Sequence, residues 1–236
     1  MDRKKVLYQH GTLAMLVPGL FTGTQTVAEL LKHGDTGIGT LTGLNGELII
    51  VDGVCYQANA AGQIRQVDGH ELVPFANSHY LQDTLASKIG AVGQDKLWTF
   101  LEAQIPSKNL FYGVRLTGTF KKVKTRAVKE QTKPFPTLKQ TASQQQEFSR
   151  ENVDGTVIGY FAPELYGRTA VPGFHLHFLS ADHSFGGHIL ELSSTATKLY
   201  LQEFSSLELH LPSENTDFRK KKLSGNLIQE IKDAES

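Results

Sequence analysis

One cysteine, two methionines and one tryptophan in 236 residues leave little room for redox or thiolate chemistry. Cys55 has no partner for an internal disulfide, so nothing in the chain calls for an oxidising compartment. It lies in the apolar run VDGVCYQA and reads as a buried, inert thiol, not a nucleophile. An excess of one charge is also lacking. Lys plus Arg and Asp plus Glu number 24 each, which argues against nucleic acid or an anionic membrane surface as a partner. The basic cluster at 219–222 sits beside acidic residues and reads as a solvated face. No window approaches the roughly 18 apolar residues of a membrane span. The opening MDRKKVLYQHGTLAMLVPGLF is basic and then apolar, but glycine and proline interrupt it and no small-residue cleavage site closes it. The expectation is a cytoplasmic protein.

The glycine-rich GDTGIGTLTGLNG lacks the Lys-Ser/Thr of a phosphate loop. Gly37 and Gly39 also have no third glycine at the spacing of a dinucleotide fingerprint, so these read as strand and hairpin glycines.

What is present suits one large domain or two small ones, with 39% apolar and 20% charged residues. Thr26 and Glu29 form a capping box ahead of Leu30 and Leu31, and Gly34 ends that helix. The period then turns to alternation, and Asn45-Gly46, Asp52-Gly53 and Ala61-Gly62 punctuate a β-meander over about 37–67. The stretch 79–106 reads as helical with a break near Gly90 to Gly93. Strand pattern returns from 109, with Tyr112, Val114, Leu116 and Phe120 on one parity. A polar stretch over 129–152 reads as a linker or a loop with a short helix. The expected organisation is an α+β (mixed α/β) fold. An N-terminal α/β domain with the meander takes 1–150, and a β-rich domain with a histidine cluster and helical tail takes 151–236.

Four of the nine histidines fall in FHLHFLSADHSFGGHIL, residues 174–190. Alternation puts His175 and His177 on one strand face, with Phe174, Leu176 and Phe178 on the other. A turn near His183 returns the chain as an antiparallel strand that lands His188 beside His177. Three neutral imidazoles then converge, which suits a divalent metal such as zinc. A structural site is closed by a fourth protein ligand, whereas three histidines with an open position are the catalytic pattern. His183, at the loop tip, is set apart as solvent-exposed. Glu47 follows the Asn45-Gly46 turn and Arg126 ends a lysine-rich strand; taken alone, both read as surface charges.

With those residues laid out, the sequence resembles the α-acetolactate decarboxylases along nearly its whole length. The resemblance rests on YQHGTLAML, GDTGIGTLTGLNGELIIVDGVCYQ, NLFYGVRLTGTF, VKTRAV, GTVIGYFAPEL and above all VPGFHLHFLSADHSFGGHIL. It implies two β-sheet-containing domains with a metal site at their junction, assembled as a homodimer. It also implies conversion of 2-acetolactate to (R)-acetoin with loss of carbon dioxide, and no nucleic-acid or membrane partner. The metal, Zn2+, would chelate the keto and hydroxyl oxygens and stabilise an enediolate that a glutamate protonates. Residue by residue, the family's metal ligands fall on His175, His177 and His188, its arginine on Arg126, its hairpin glutamate on Glu47 and its threonine on Thr40. A tail glutamate falls on Glu235 or Glu230, with Glu235 favoured. The alternatives are a cupin-like metal enzyme, which would want a glutamate where Ala181 and Asp182 stand, and a binding module with a structural metal.

Overall fold

A computed structural model describes residues 3–82, 84–223, 225 and 227–235; the side chains of Lys232, Asp233 and Glu235 lie outside the described residues. In the first half run β1 (Val6–His10), α1 (Leu13–Leu16), β2 (Gln25–Thr26), α2 (Val27–Leu30) and β3 (Thr36–Leu41). There follow β4 (Asn45–Val51), β5 (Val54–Ala58), β6 (Ile64–Gln66), β7 (Leu72–Val73), β8 (Phe75–His79), β9 (Leu85–Ile89) and α3 (Gln94–Gln104). The second half holds β10 (Phe111–Ala127), α4 (Leu138–Ala142), β11 (Gln146–Ala162), β12 (Gly173–Ser180), β13 (Gly186–Phe204) and β14 (Ser206–His210). The helices α5 (Thr216–Lys220) and α6 (Leu227–Glu235) follow. The class is α+β, as the residue pattern indicates.

Two sheets carry the architecture. The larger has the order β14-β1-β8-β3-β4-β5-β6, in which β3 to β6 are the expected meander and only β1 and β14 run parallel. The smaller has the order β10-β11-β12-β13-β9, and β10 also pairs with β13. Strands β10 to β13 therefore close on themselves in a ring, which removes most free edges. Leu116, Phe120, Val157, Leu176, Phe178 and Leu199 face the inside of that ring, where Leu97 and Leu101 of α3 complete the core. The outer face meets the large sheet through Leu7, Ile38, Ile158, Tyr160 and Phe204. The other face of the large sheet buries Leu48, Ile50 and Cys55 against Val27 and Leu30 of α2. A fourth apolar cluster gathers Leu13 and Leu16 of α1, Leu138 of α4, and Leu227, Ile231 and Ala234 of α6. The expected boundary at residue 150 lies within β11, and the sheets are not contiguous in sequence: β9 and β10 join the smaller one, while β14 returns to the larger.

Two local expectations are corrected. The segment 85–89 is a strand and not a helix. Leu85 and Ile89 have helical spacing, but the segment pairs with β13, with Ser87 opposite Leu199, and tertiary pairing overrides a short local preference. The turn between β3 and β4 is at Thr42–Leu44, one step before Asn45-Gly46. There Gly43 and Leu44 take φ of 74° and 54°, and Gly43 N donates to Phe21 O at 2.8 Å. Gly46, with φ 68°, is the irregular position that follows, and its N–H donates to Val128 O. Backbone bonds to distant segments set this turn, so the dipeptide rule misplaces it.

Candidate active site

The register of the small sheet assembles the histidines. His177 stands opposite His188 across β12 and β13, and His188 stands opposite Arg126 across β13 and β10. These three residues form a row over three strands on the outer face of the ring. His175, one alternation along β12, lies opposite Tyr160 of β11. The return strand comes close because Gly187 has φ 136°, and a Cβ there would meet Arg126 O at 2.6 Å. No other residue type tolerates both conditions.

Ring centroids of the three histidines are 4.9–5.5 Å apart, and one ligand atom from each lies within 4.8 Å of the others. His177 is fully buried, and its Nδ1–H donates to Leu48 O at 2.8 Å. A carbonyl can only accept, so that bond fixes the tautomer and leaves the Nε2 lone pair facing the cluster. Burial, and then the charge of Arg126, push the His175 imidazole down to about 3, so it is neutral at ordinary pH. Neutral, orientated imidazoles are the donor set a borderline divalent metal takes. The cluster fits such an ion.

The large sheet supplies the facing groups. Thr40 and Glu47 are cross-strand partners on β3 and β4. Glu47 turns toward the ring, with Oε2 3.4 Å from His177 Nε2. Thr40 donates its hydroxyl hydrogen to Gly46 O at 2.8 Å, pinning the backbone just before Glu47. Glu47 is thus a largely enclosed carboxylate in a strand, in contrast to the surface charge its place after a turn suggests. Arg126 is 4% exposed, again unlike a surface cation; its Nη1 donates to Gln145 Oε1 and to Ala234 O, each at 2.7 Å.

One cavity gathers Thr40, Glu47, Arg126 and His175, roofed by Leu13, Leu16, Leu138 and Ala234 from α1, α4 and α6. Six of the residues singled out in the sequence therefore meet: Thr40, Glu47, Arg126, His175, His177 and His188. Glu230 sits half-exposed on α6 and does not line the cavity, and the side chain of Glu235 lies outside the described residues. His183 is exposed at the β12–β13 turn, its ring 4.6 Å from that of Tyr56. The sequence reading missed Gln145, the Leu48 carbonyl and the apolar roof. Only the Thr137–Gln140 capping box, which starts α4, left a local signal.

A cluster of three imidazoles, with a carboxylate across from it and a guanidinium beside it at one cavity, is the kind of site an enzyme of the α+β class carries. Residues 7–225 match the family model described as alpha-acetolactate decarboxylase, and the chain belongs to that family of carboxy-lyases. It is 36% identical to the alpha-acetolactate decarboxylase of Brevibacillus brevis, over 99% of this chain and 82% of that protein. Identity to that of Methanosarcina mazei is 37%, over 98% of this chain and 80% of its relative. The crystal structure of alpha-acetolactate decarboxylase from Bacillus subtilis strain 168 matches with a TM-score of 0.94 at 31% identity, covering 98% of this chain and 99% of that one. Family membership sets the cupin-like reading aside. Among the described residues, no helix is long and apolar enough to cross a membrane.

Proposed function

We propose that the chain decarboxylates 2-acetolactate to (R)-acetoin with a divalent metal, zinc in the first instance, held by His175, His177 and His188. The observation that carries this reading is the cluster of three imidazoles with Glu47 3.4 Å from His177, beside a cavity that Glu47, Arg126 and His175 line together. A bound metal supplies Lewis acidity at the substrate's ketone and hydroxyl oxygens, worth several kcal/mol of charge stabilisation.

The protein's own groups do the rest. Arg126, fixed and buried, binds the substrate carboxylate and then faces the negative charge that develops as carbon dioxide leaves. The bond from the carboxyl carbon to the carbinol carbon breaks, and its electron pair forms the enediolate. A carboxyl proton must then reach the carbinol carbon from one side, which sets the R configuration. Glu47 delivers it, and its position on the large sheet, across from the histidine strands, supports that role. Glu235, next to the cavity-lining Ala234, is the second carboxyl of the reading, ahead of Glu230. Thr40 holds the Glu47 backbone and offers its hydroxyl oxygen to the cavity. The apolar roof takes the two methyl groups and excludes water. The reading extends to a homodimer in the cytoplasm and to two structural units meeting at the site.

Incubating the purified chain with racemic 2-acetolactate, with and without a chelator, tests it. Acetoin should form only without chelator, and the chelated protein should stay folded by circular dichroism. Full turnover in chelator would end the metal reading, and unfolding in chelator would make the metal structural.

A further inference from the structure

We propose that Gln145 is a positioning residue for the reaction, holding the Arg126 guanidinium where the substrate carboxylate arrives; this rests on the role given to Arg126 above. Arginine has a long, flexible stem, and one bond does not fix the direction of its planar fork. Arg126 Nη1 donates to both Gln145 Oε1 and Ala234 O, each at 2.7 Å, so two acceptors from different segments hold this nitrogen. Neither of these two acceptors on Nη1 is charged. An amide or peptide oxygen orients the cation without cancelling it, whereas a carboxylate in the same place would compete with an anionic substrate.

Gln145 is itself held. It ends the connection from β10 to β11, and Arg126 stands near the other end of that connection, paired with Glu147. The connection carries α4, whose start is locked by the reciprocal bonds of Thr137 and Gln140. The helix is continued by bonds from Gln144 N to Thr141 O and from Gln145 N to Ala142 O, both 3.1 Å. Thr141 and Ala142 line the same cavity. The side chain of Gln145 is therefore a short lever from a fixed turn to the guanidinium.

The test uses the full chain loaded with metal, steady-state kinetics on 2-acetolactate, and thermal melting. Gln145→Met keeps length and removes the acceptor; Gln145→Glu keeps an acceptor and adds a charge. Loss of one charge-assisted hydrogen bond should raise KM about tenfold in Gln145→Met while kcat changes less than about threefold. Gln145→Glu should raise KM further, because its carboxylate competes for the guanidinium. The inhibition constant of an unreactive 2-hydroxy carboxylate should rise in parallel. A residue that merely closes the loop would lower the melting temperature and leave KM alone, and that result overturns the proposal. If Gln145→Met does not fold, an unchanged KM in Gln145→Glu is enough to overturn it. Arg126→Ala is measured alongside. Should its KM stay normal, the role of Arg126 falls and this inference with it. Should its KM rise while both Gln145 variants stay normal, only this inference falls.

Discussion

Acid should loosen the seam between the two sheets, and His79 concentrates the cost. It ends β8, is 2% exposed, and its Nδ1 lies 2.9 Å from the hydroxyl of Tyr160 on β11. The ring of Phe204 meets it edge-on at 5.0 Å. Burial, opposed in part by the charge of Asp35, lowers this imidazole from 6.5 to about 4. The unfolded chain takes the proton near 6.5 and the folded chain only near 4. Between those values the unfolded state binds more protons, so stability falls as the pH drops; above 6.5 the group contributes no slope. A gap of about 2.5 pH units, at about 1.4 kcal/mol each, comes to about 3.5 kcal/mol, of which about 3 kcal/mol is lost by pH 4, where the folded imidazole is half protonated. Urea unfolding followed by fluorescence of the single tryptophan, Trp98, at steps from pH 7 to 4 measures this directly. The parent chain should lose about 3 kcal/mol more than His79→Gln over that range. His10 and His175 are also lowered by burial, but both variants keep them, so they cancel in the difference. Parallel slopes for the two proteins would refute the reasoning. The consequence reaches the site, because Tyr160 stands opposite His175 in the β11–β12 register.

Glu47→Gln preserves shape and removes the proton donor, so turnover should fall roughly 10²- to 10³-fold with little change in melting. Turnover near normal would take Glu47 out of the proton step. Gly187→Ala puts a Cβ against Arg126 O at a φ of 136°, and should cost about 1–3 kcal/mol of stability. Because Gly187 sets the approach of His188, zinc affinity measured by competition with a chromophoric chelator should weaken as well. Unchanged affinity would show that the strand tolerates the shift.

The clustering of the three histidines was legible because alternation in a strand is a strict period of two. His175 and His177 had to share a face, and a turn near His183 had to bring His188 opposite His177. Arg126 and Glu47 were not legible from residues alone. Each lies near a turn or a lysine-rich stretch, where a charge is ordinarily solvated, and only family resemblance raised them. The misread of 85–89 has the same origin: Leu85 and Ile89 fit a helix period, and the choice was made by an open edge on β13.

The sequence by itself determined the meander, the faces of the histidine strand, the neutrality of the chain and its kinship, since all depend on neighbours within a few residues or on residue identity. Only the tertiary structure showed that Glu47 is largely enclosed and Arg126 buried beside the three histidines, and that the amide of Gln145 accepts a hydrogen bond from the arginine. Those arrangements depend on how two sheets stack and a ring closes. Stacking is set by apolar burial and backbone pairing over the whole chain, and no local run of residues encodes it.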